Sequence, residues 1–174
     1  DLQKAGKQTR FEEIRAIGGS DEIDHQTGQS TGSYDSLVFN IQIAEVEVNT
    51  ETGDVKVLTM TSAVDAGVVI HPQNFEGQLE GGMDQGIGYA LREQYDHGTT
   101  KDWVNFKFPK IKDTFELDLV VRETPRGRGP HGATGVGEMT MVSTAPAITN
   151  AIYNACGARI YDLPATPDKI KAAL

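Results

Sequence analysis

The sequence predicts an α+β fold in which a β-hairpin and further strands pack against two main helices. Three observations predict it: two strand-like segments joined by the turn TETGD (50–54), a helical apolar repeat over 72–92, and a second helical segment over 143–157. The 174 residues suit one compact domain. We therefore expect a single domain over residues 1–174, with 1–36 as a poorly defined loop and helix lead-in.

The first strand of the hairpin begins after Leu37. The stretch LVFNIQIAEVEVN (37–49) alternates apolar and polar residues after Asn40, which is typical of a half-buried strand. The alternation slips once near Ala44, which indicates a bulge. Residues 55–70 return as the second strand. The apolar residues expected on the buried face of the first strand are Ile41, Ile43, Ala44, Val46 and Val48.

The first main helix is predicted from Pro72 to about Arg92. Apolar residues recur at every fourth position as one buried stripe: Leu79, Met83, Ile87 and Leu91. The same segment, GQLEGGMDQGIG (77–88), contains five glycines, which would weaken a free helix by about 3–5 kcal/mol in total. Either another helix or a sheet packs closely here, or a rigid ligand lies along the helix beside the exposed amide of Gln85.

The remaining elements follow from shorter patterns. Residues 103–111 and 115–123 are predicted as strands, and residues 1–17 as a short, mostly solvated helix. The second main helix is expected to have Ser143 or Thr144 as its N-cap, Pro146 in its first turn and Gly157 as its stop. Thr166 is expected to cap a short final helix, after a short strand.

Composition excludes several functional classes. The net charge is −9 and the pI about 4.8, and the one dense basic cluster is RGRG (126–129), so no nucleic-acid partner is expected. No apolar run approaches the roughly 20 residues of a membrane span. Cys156 is the single cysteine, so the chain cannot itself hold an iron–sulfur cluster, and a cytoplasmic setting is expected.

The stretch GATGVGE (132–138) contains the one candidate catalytic carboxylate. Glu138 has few charged neighbours in the sequence, so one interpretation is a desolvated side chain suited to general-base chemistry. The alternative is an ordinary solvated loop glutamate. His71 and His131 have no second histidine at ligand spacing, and no residue is assigned as a metal ligand.

Two long stretches resemble a known family. Residues 44–93, which include GGMDQG, and residues 129–170, which include GVGE, are similar to the C-terminal part of the molybdenum-binding subunit of the molybdenum hydroxylases. That is the xanthine dehydrogenase and aldehyde oxidoreductase family. The resemblance covers about residues 37–172, in order and with family-like spacing. It implies that the α+β fold is part of a molybdenum cofactor-binding domain.

The resemblance also implies a site. The residues matching GGMDQG lie beside the molybdenum–molybdopterin cofactor in the family, which here implicates Gly81, Gly82, Met83, Asp84 and Gln85. Glu138 matches the family's general base. The implied activity is an oxidoreductase that hydroxylates an electron-poor carbon of an aldehyde or N-heterocycle, with water as the oxygen source. Electrons would leave through iron–sulfur clusters, and commonly a flavin, on partner domains or subunits.

The departures from the family limit what this chain can do alone. Complete family subunits are several times longer, and further pocket-forming loops and the iron–sulfur cysteine motifs are not in this sequence. We therefore expect the cofactor to be shared with the rest of the subunit, and the isolated chain to be inactive. Two alternatives are a catalytically silent assembly module of the same fold and a free-standing β-rich binding protein. The sequence does not identify the substrate.

Overall fold

The computed structural model describes residues 24–29, 37–127 and 129–174. The chain divides into two compact units, residues 1–35 and 36–174. In the first unit the described residues form one turn, in which Asp24 Oδ1 accepts a hydrogen bond from the Gln26 amide at 2.9 Å. The helix predicted over 1–17 lies outside the described residues, and the single-domain assignment stays a prediction.

The described part of the second unit contains a three-stranded sheet. Its strands are β1 (Phe39–Val48), β2 (Val55–Asp65) and β3 (Glu116–Arg122), in the order β1-β2-β3. β1 and β2 pair antiparallel across the predicted turn, where Gly53 has a φ of 81°. β3 pairs parallel with β2. The hairpin and the strand predicted over 115–123 are confirmed.

The orientation of β1 differs from the prediction. Ile41 and Ile43 are 70% and 66% exposed, whereas Asn40 and Gln42 face the interior of the domain. The register shift lies between Glu45 and Val46, close to the predicted slip, but exposure alternates along β1 without interruption. The assignment of Ile41 and Ile43 to the buried face is therefore wrong.

The inward amides of β1 are accommodated because each finds a hydrogen-bond partner. Asn40 Nδ2 donates to Ser143 Oγ at 2.7 Å, and Gln42 Nε2 donates to the Thr140 carbonyl at 3.0 Å. Buried or half-buried amides are tolerated when they are bonded in this way. Polar pairing between a strand and a helix thus replaces the apolar packing that the alternation predicts.

Within the described residues, four α-helices accompany the sheet: α1 (Pro72–Leu91), α2 (Trp103–Phe106), α3 (Met139–Cys156) and α4 (Pro167–Ala173). α1 matches its prediction. Gly157 ends α3 with a φ of 83°, and Thr166 Oγ1 accepts from the Lys169 amide, so the predicted stop and cap are confirmed. Short 3-10 turns lie at Ile111–Asp113 and Pro130–Gly132.

Three element predictions are wrong. The short strand expected before Thr166 does not form, and residues 157–166 contain no strand. The segment 103–111 forms the short helix α2 and a loop instead of a strand. The second main helix, α3, begins four residues before Ser143, with Glu138 as its N-cap, and includes Pro146 in its interior. Tertiary packing of the first turn of α3 against α1 offsets the hydrogen bond that Pro146 cannot donate.

The core lies between the sheet and the two long helices. Met60 from β2, Leu79, Met83 and Ile87 from α1, and Ile148 from α3 are almost completely buried in one cluster. Among the described residues, no helix has the length and apolar character needed to cross a membrane.

Candidate functional site

Four of the five glycines of α1 fall into two groups, and the first group packs against α3. A Cβ at Gly82 would overlap Thr140 Oγ1, and a Cβ at Gly86 would lie 2.5 Å from Thr144 Cβ. Both threonines are fully buried. Since Gly82 meets Thr140 and Gly86 meets Thr144, the helices run parallel with their backbones unusually close. Close helix packing therefore explains these two glycines without a ligand.

The second group of glycines faces open space. A Cβ at Gly77 or Gly81 would meet no atom within 4 Å. Both residues line a cavity of about 560 Å³ between α1 and the segment that leads into β3. Other lining residues are Glu80, Asp84, Lys110 and Phe115. The backbone of α1 is therefore accessible on this side, which the helical pattern alone does not require.

The five residues of the GGMDQG segment accordingly have different environments. Gly81 and Gln85 are exposed, Asp84 is half-buried, and Gly82 and Met83 are buried. Met83 belongs to the core, so its side chain does not reach the surface on which Gln85 lies. The segment therefore offers an approaching group the backbone at Gly81 and the side chains of Asp84 and Gln85.

Glu138 is the N-cap residue of α3, and its side chain is exposed. Of the two interpretations that the sequence leaves open, the solvated loop glutamate is the one that matches the structure of this chain. The local sequence lacks charges because it is a glycine-rich loop, and nothing among the described residues covers it. Thr140, two residues after Glu138, packs against Gly82, so the start of α3 lies beside the GGMDQG segment of α1.

The loop that leads to Glu138 is fixed at its start by an ion pair. Arg126 Nη2 contacts Asp65 Oδ1 at 3.0 Å, and Arg126 Nε donates to the Leu37 carbonyl at 3.1 Å. A hydrogen bond from the Thr124 side chain lowers the pKa of Asp65 most, and the amides of Gly67 and Thr124 and the charge of Arg126 lower it further against the effect of burial. Asp65 thus serves both the turn after β2 and the anchoring of this loop.

A group of carboxylates behind Gln85 was not predicted. Burial, followed by the nearby charge of Asp113, raises the pKa of Asp84, and burial followed by Asp84 raises the pKa of Glu93. Burial also acts on Asp113, but hydrogen bonds from the Lys110 amide and Arg92 outweigh it and lower its pKa. Glu93 and Asp113 lie outside the GGMDQG and GVGE motifs, so no motif indicates the group as a whole.

Glu93 itself occupies a confined position. Its Oε1 is buried and has no hydrogen-bond partner among the described residues. A Cβ at Gly88 would overlap this oxygen, which explains a third glycine of α1. No set of three or more His, Cys, Asp or Glu side chains in the described part of the chain is placed to bind a metal ion.

Comparison with known proteins identifies the class to which this fold and these helices belong. The family model described as the molybdopterin cofactor-binding domain matches residues 4–115. The chain therefore belongs to this family, as the resemblance of GGMDQG and GVGE predicted.

Particular relatives support the same assignment. The aldehyde oxidoreductase of Megalodesulfovibrio gigas is 38% identical over 179 residues, covering 100% of this chain and 19% of that protein. A probable xanthine dehydrogenase subunit of Bacillus subtilis is 33% identical over 147 residues, covering 82% of this chain and 20% of that protein. A solved aldehyde oxidoreductase from Desulfovibrio gigas superposes with a TM-score of 0.90 at 38% identity, covering 99% of this chain and 19% of that chain.

The superposition confirms the α+β fold, and the coverage shows how much of each relative this chain matches. The chain spans about a fifth of the length of these relatives. One feature of the described residues fits a bound cofactor. No atom lies within 4 Å of where a Cβ at Gly81 would be, so the helix backbone is accessible there, and Gln85 is exposed one turn further along α1.

Proposed function

We propose that this chain forms one wall of the molybdenum centre of an oxidoreductase that hydroxylates an aldehyde or an N-heterocycle. The observation that supports it best is the pairing of α1 and α3. The contacts of Gly82 with Thr140 and of Gly86 with Thr144 hold two exposed side chains, Gln85 and Glu138, on adjacent helices. By the resemblance to the family, α1 would contain the cofactor-side segment and the start of α3 the base.

The cofactor-side residues would act mainly through polar groups of the backbone and amides. The open backbone at Gly81 allows a flat group to approach within contact distance, and the Gln85 amide can donate and accept hydrogen bonds. Asp84 completes the set that we assign to the cofactor side, whereas Gly82 and Met83 are buried in the packing of α1 and would support this segment from behind. The molybdopterin cofactor, when bound, supplies the redox chemistry.

Glu138 is the proposed general base. Its carboxylate is free of intrachain capping bonds and is exposed at the start of α3, so an oxygen can accept a proton from a reacting group. A base in this role works best when water is excluded around it. We propose that the remainder of a full-length molybdenum subunit covers Glu138 and supplies that exclusion.

The wider assembly follows from the same proposal. The partners are the rest of the molybdenum subunit and domains or subunits with iron–sulfur clusters and, commonly, a flavin, which remove the electrons. The single cysteine is compatible with the reducing cytoplasm, which we propose as the compartment. The described residues do not discriminate between aldehyde, purine and other heterocycle substrates.

The proposal is tested by Glu138→Gln in the complete enzyme that contains this sequence. Turnover should fall by roughly 10²–10⁴-fold, the range of general-base catalysis, while molybdenum content stays unchanged. Glu76→Gln is the matched control, because Glu76 is another exposed glutamate, on α1. Unchanged turnover in Glu138→Gln would favour the silent assembly module, and turnover by the isolated chain would contradict the shared site.

A further inference from the structure

Two hydrogen bonds to α1 lie on either side of Glu138. Gln78 Nε2 donates to the carbonyl oxygen of Gly137 at 2.6 Å, immediately before Glu138. Thr140 Oγ1 donates to the carbonyl oxygen of Leu79 at 3.2 Å, two residues after Glu138. Consecutive residues of α1 therefore hold the chain on both sides of the candidate base.

The side chain of Glu138 does not fix its own position. It makes no capping hydrogen bond to the first turn of α3. Gly135 and Gly137 precede it, and a Cβ at either glycine would meet nothing within 4 Å, so this segment has few packing restraints. Glycine allows the backbone many conformations. The direction in which Glu138 points therefore depends on the few bonds that hold the loop, of which the Gln78 bond is the nearest on the N-terminal side.

We propose that Gln78 is a positioning residue for Glu138, an inference that rests on the proposed function. Gln78 and Gln85 are separated by seven residues, or about two helical turns, and so lie on the same side of α1. Gln78 thus attaches the loop of the base to the helix face that presents the cofactor-side amide. Its role is to set the placement of the Glu138 carboxylate relative to Gln85.

The bond through Gln78 is not replaced by another described contact of Gly137. Thr140 is buried and packed against Gly82, so the start of α3 stays in place when Gln78 is shortened or made apolar. The expected change is thus local: the glycine segment before Glu138 gains freedom, and α3 does not move. Misplacement of a catalytic group by about 1 Å can reduce the rate by about 100-fold.

The test uses Gln78→Leu in the complete enzyme, with Gln73→Leu as the matched control. Gln73 is also an exposed glutamine of α1, and its side chain makes no hydrogen bond within the described part of the chain. We expect Gln78→Leu to lower kcat by roughly 10–100-fold with KM within about twofold, and Gln73→Leu to change neither. Molybdenum content and melting temperature should match the unmodified enzyme.

A double variant separates positioning from a general structural role. In Glu138→Gln, the addition of Gln78→Leu should lower kcat no further, because there is no base left to position. An equal further fall in that background would overturn the proposal, and so would a normal kcat in Gln78→Leu alone.

Hydrogen exchange gives a readout that does not depend on turnover. The amides of residues 135–138 should exchange at least about tenfold faster in Gln78→Leu than in Gln73→Leu. If Glu138→Gln leaves turnover intact, the proposed function fails, and the role of Gln78 in catalysis fails with it. In that case faster exchange in Gln78→Leu would show only that the Gln78 bond orders the loop. Unchanged exchange overturns the positioning role whatever the activity of Glu138→Gln.

Discussion

The contact between Gly82 and Thr140 predicts opposite effects for two adjacent glycine-to-alanine substitutions. In Gly82→Ala the new Cβ would overlap Thr140 Oγ1 and lie 3.3 Å from Thr140 Cβ. Thr140 is fully buried and its hydroxyl bonds to the Leu79 carbonyl, so it cannot rotate away without losing that bond. In Gly81→Ala the new Cβ would meet nothing within 4 Å.

The magnitudes follow from these two environments. Alanine is favoured over glycine in a helix interior by about 1 kcal/mol, which is the full expected gain for Gly81→Ala. For Gly82→Ala the overpacking costs about 1–3 kcal/mol, and the loss of the Thr140 hydrogen bond adds about 1 kcal/mol. After the helix gain is subtracted, Gly82→Ala should lower the free energy of unfolding by about 1–3 kcal/mol.

The assay is urea unfolding of this chain, followed by circular dichroism, with both variants measured beside the unmodified chain. The double variant Gly82→Ala/Thr140→Ala removes the atoms that clash, so it should be destabilised by less than the sum of its single changes. If Gly82→Ala proves as stable as Gly81→Ala, close approach of α3 is not the reason for glycine at this position, and a ligand becomes the better explanation for Gly82.

Two further predictions concern charge and the outer face of the sheet. Burial and Asp84 raise the pKa of Glu93, so its contribution to stability is present below its ordinary value of 4.5 and is lost as pH rises through the raised pKa. Glu93→Gln should therefore remove the fall in stability between pH 4.5 and the raised pKa, measured as urea midpoints across the acid-to-neutral range; an equally steep fall in that window would contradict this assignment. Ile41→Thr should change the free energy of unfolding by less than about 0.5 kcal/mol because Ile41 is 70% exposed, whereas Met60→Ala should cost about 2–5 kcal/mol. Similar losses of unfolding free energy in Ile41→Thr and Met60→Ala would contradict the exposed position of Ile41.

The candidate site was recognisable from sequence because its residues occur in two short motifs. GGMDQG and GVGE are continuous, and the family assignment that they support is confirmed by the match over residues 4–115. The roles of Gln85 and Glu138 stay predictions. The hydrogen bond of Gln78 to Gly137 joins residues far apart in the chain, and so does the effect of the Asp113 charge on the pKa of Asp84, so no local pattern indicates them.

The exposure of Glu138 shows a limit of inferring burial from neighbouring residue types. The lack of nearby charges in GATGVGE is compatible with a desolvated carboxylate or a solvated loop glutamate, and the exposed side chain matches the second interpretation. Burial depends on what packs over a residue from elsewhere in the fold, and the glycines around Glu138 offer no side chains for that packing. The neighbouring glycines determine how freely the backbone beside Glu138 can move, but they do not determine whether its side chain is exposed to solvent.

The sequence by itself determined the elements whose signals are local: the hairpin turn at TETGD, the course of α1 from Pro72, the glycine stop of α3 and the Thr166 cap of α4. Tertiary structure decided which face of β1 is buried and where α3 begins. Hydrogen bonds from Asn40 and Gln42 to α3 turn the polar face of β1 inward, and packing of Thr140 against Gly82 extends α3 beyond its expected cap. The buried face of β1 and the start of α3 both depend on residues distant in the chain, whereas the apolar periodicity of a segment reflects only the residues within that segment.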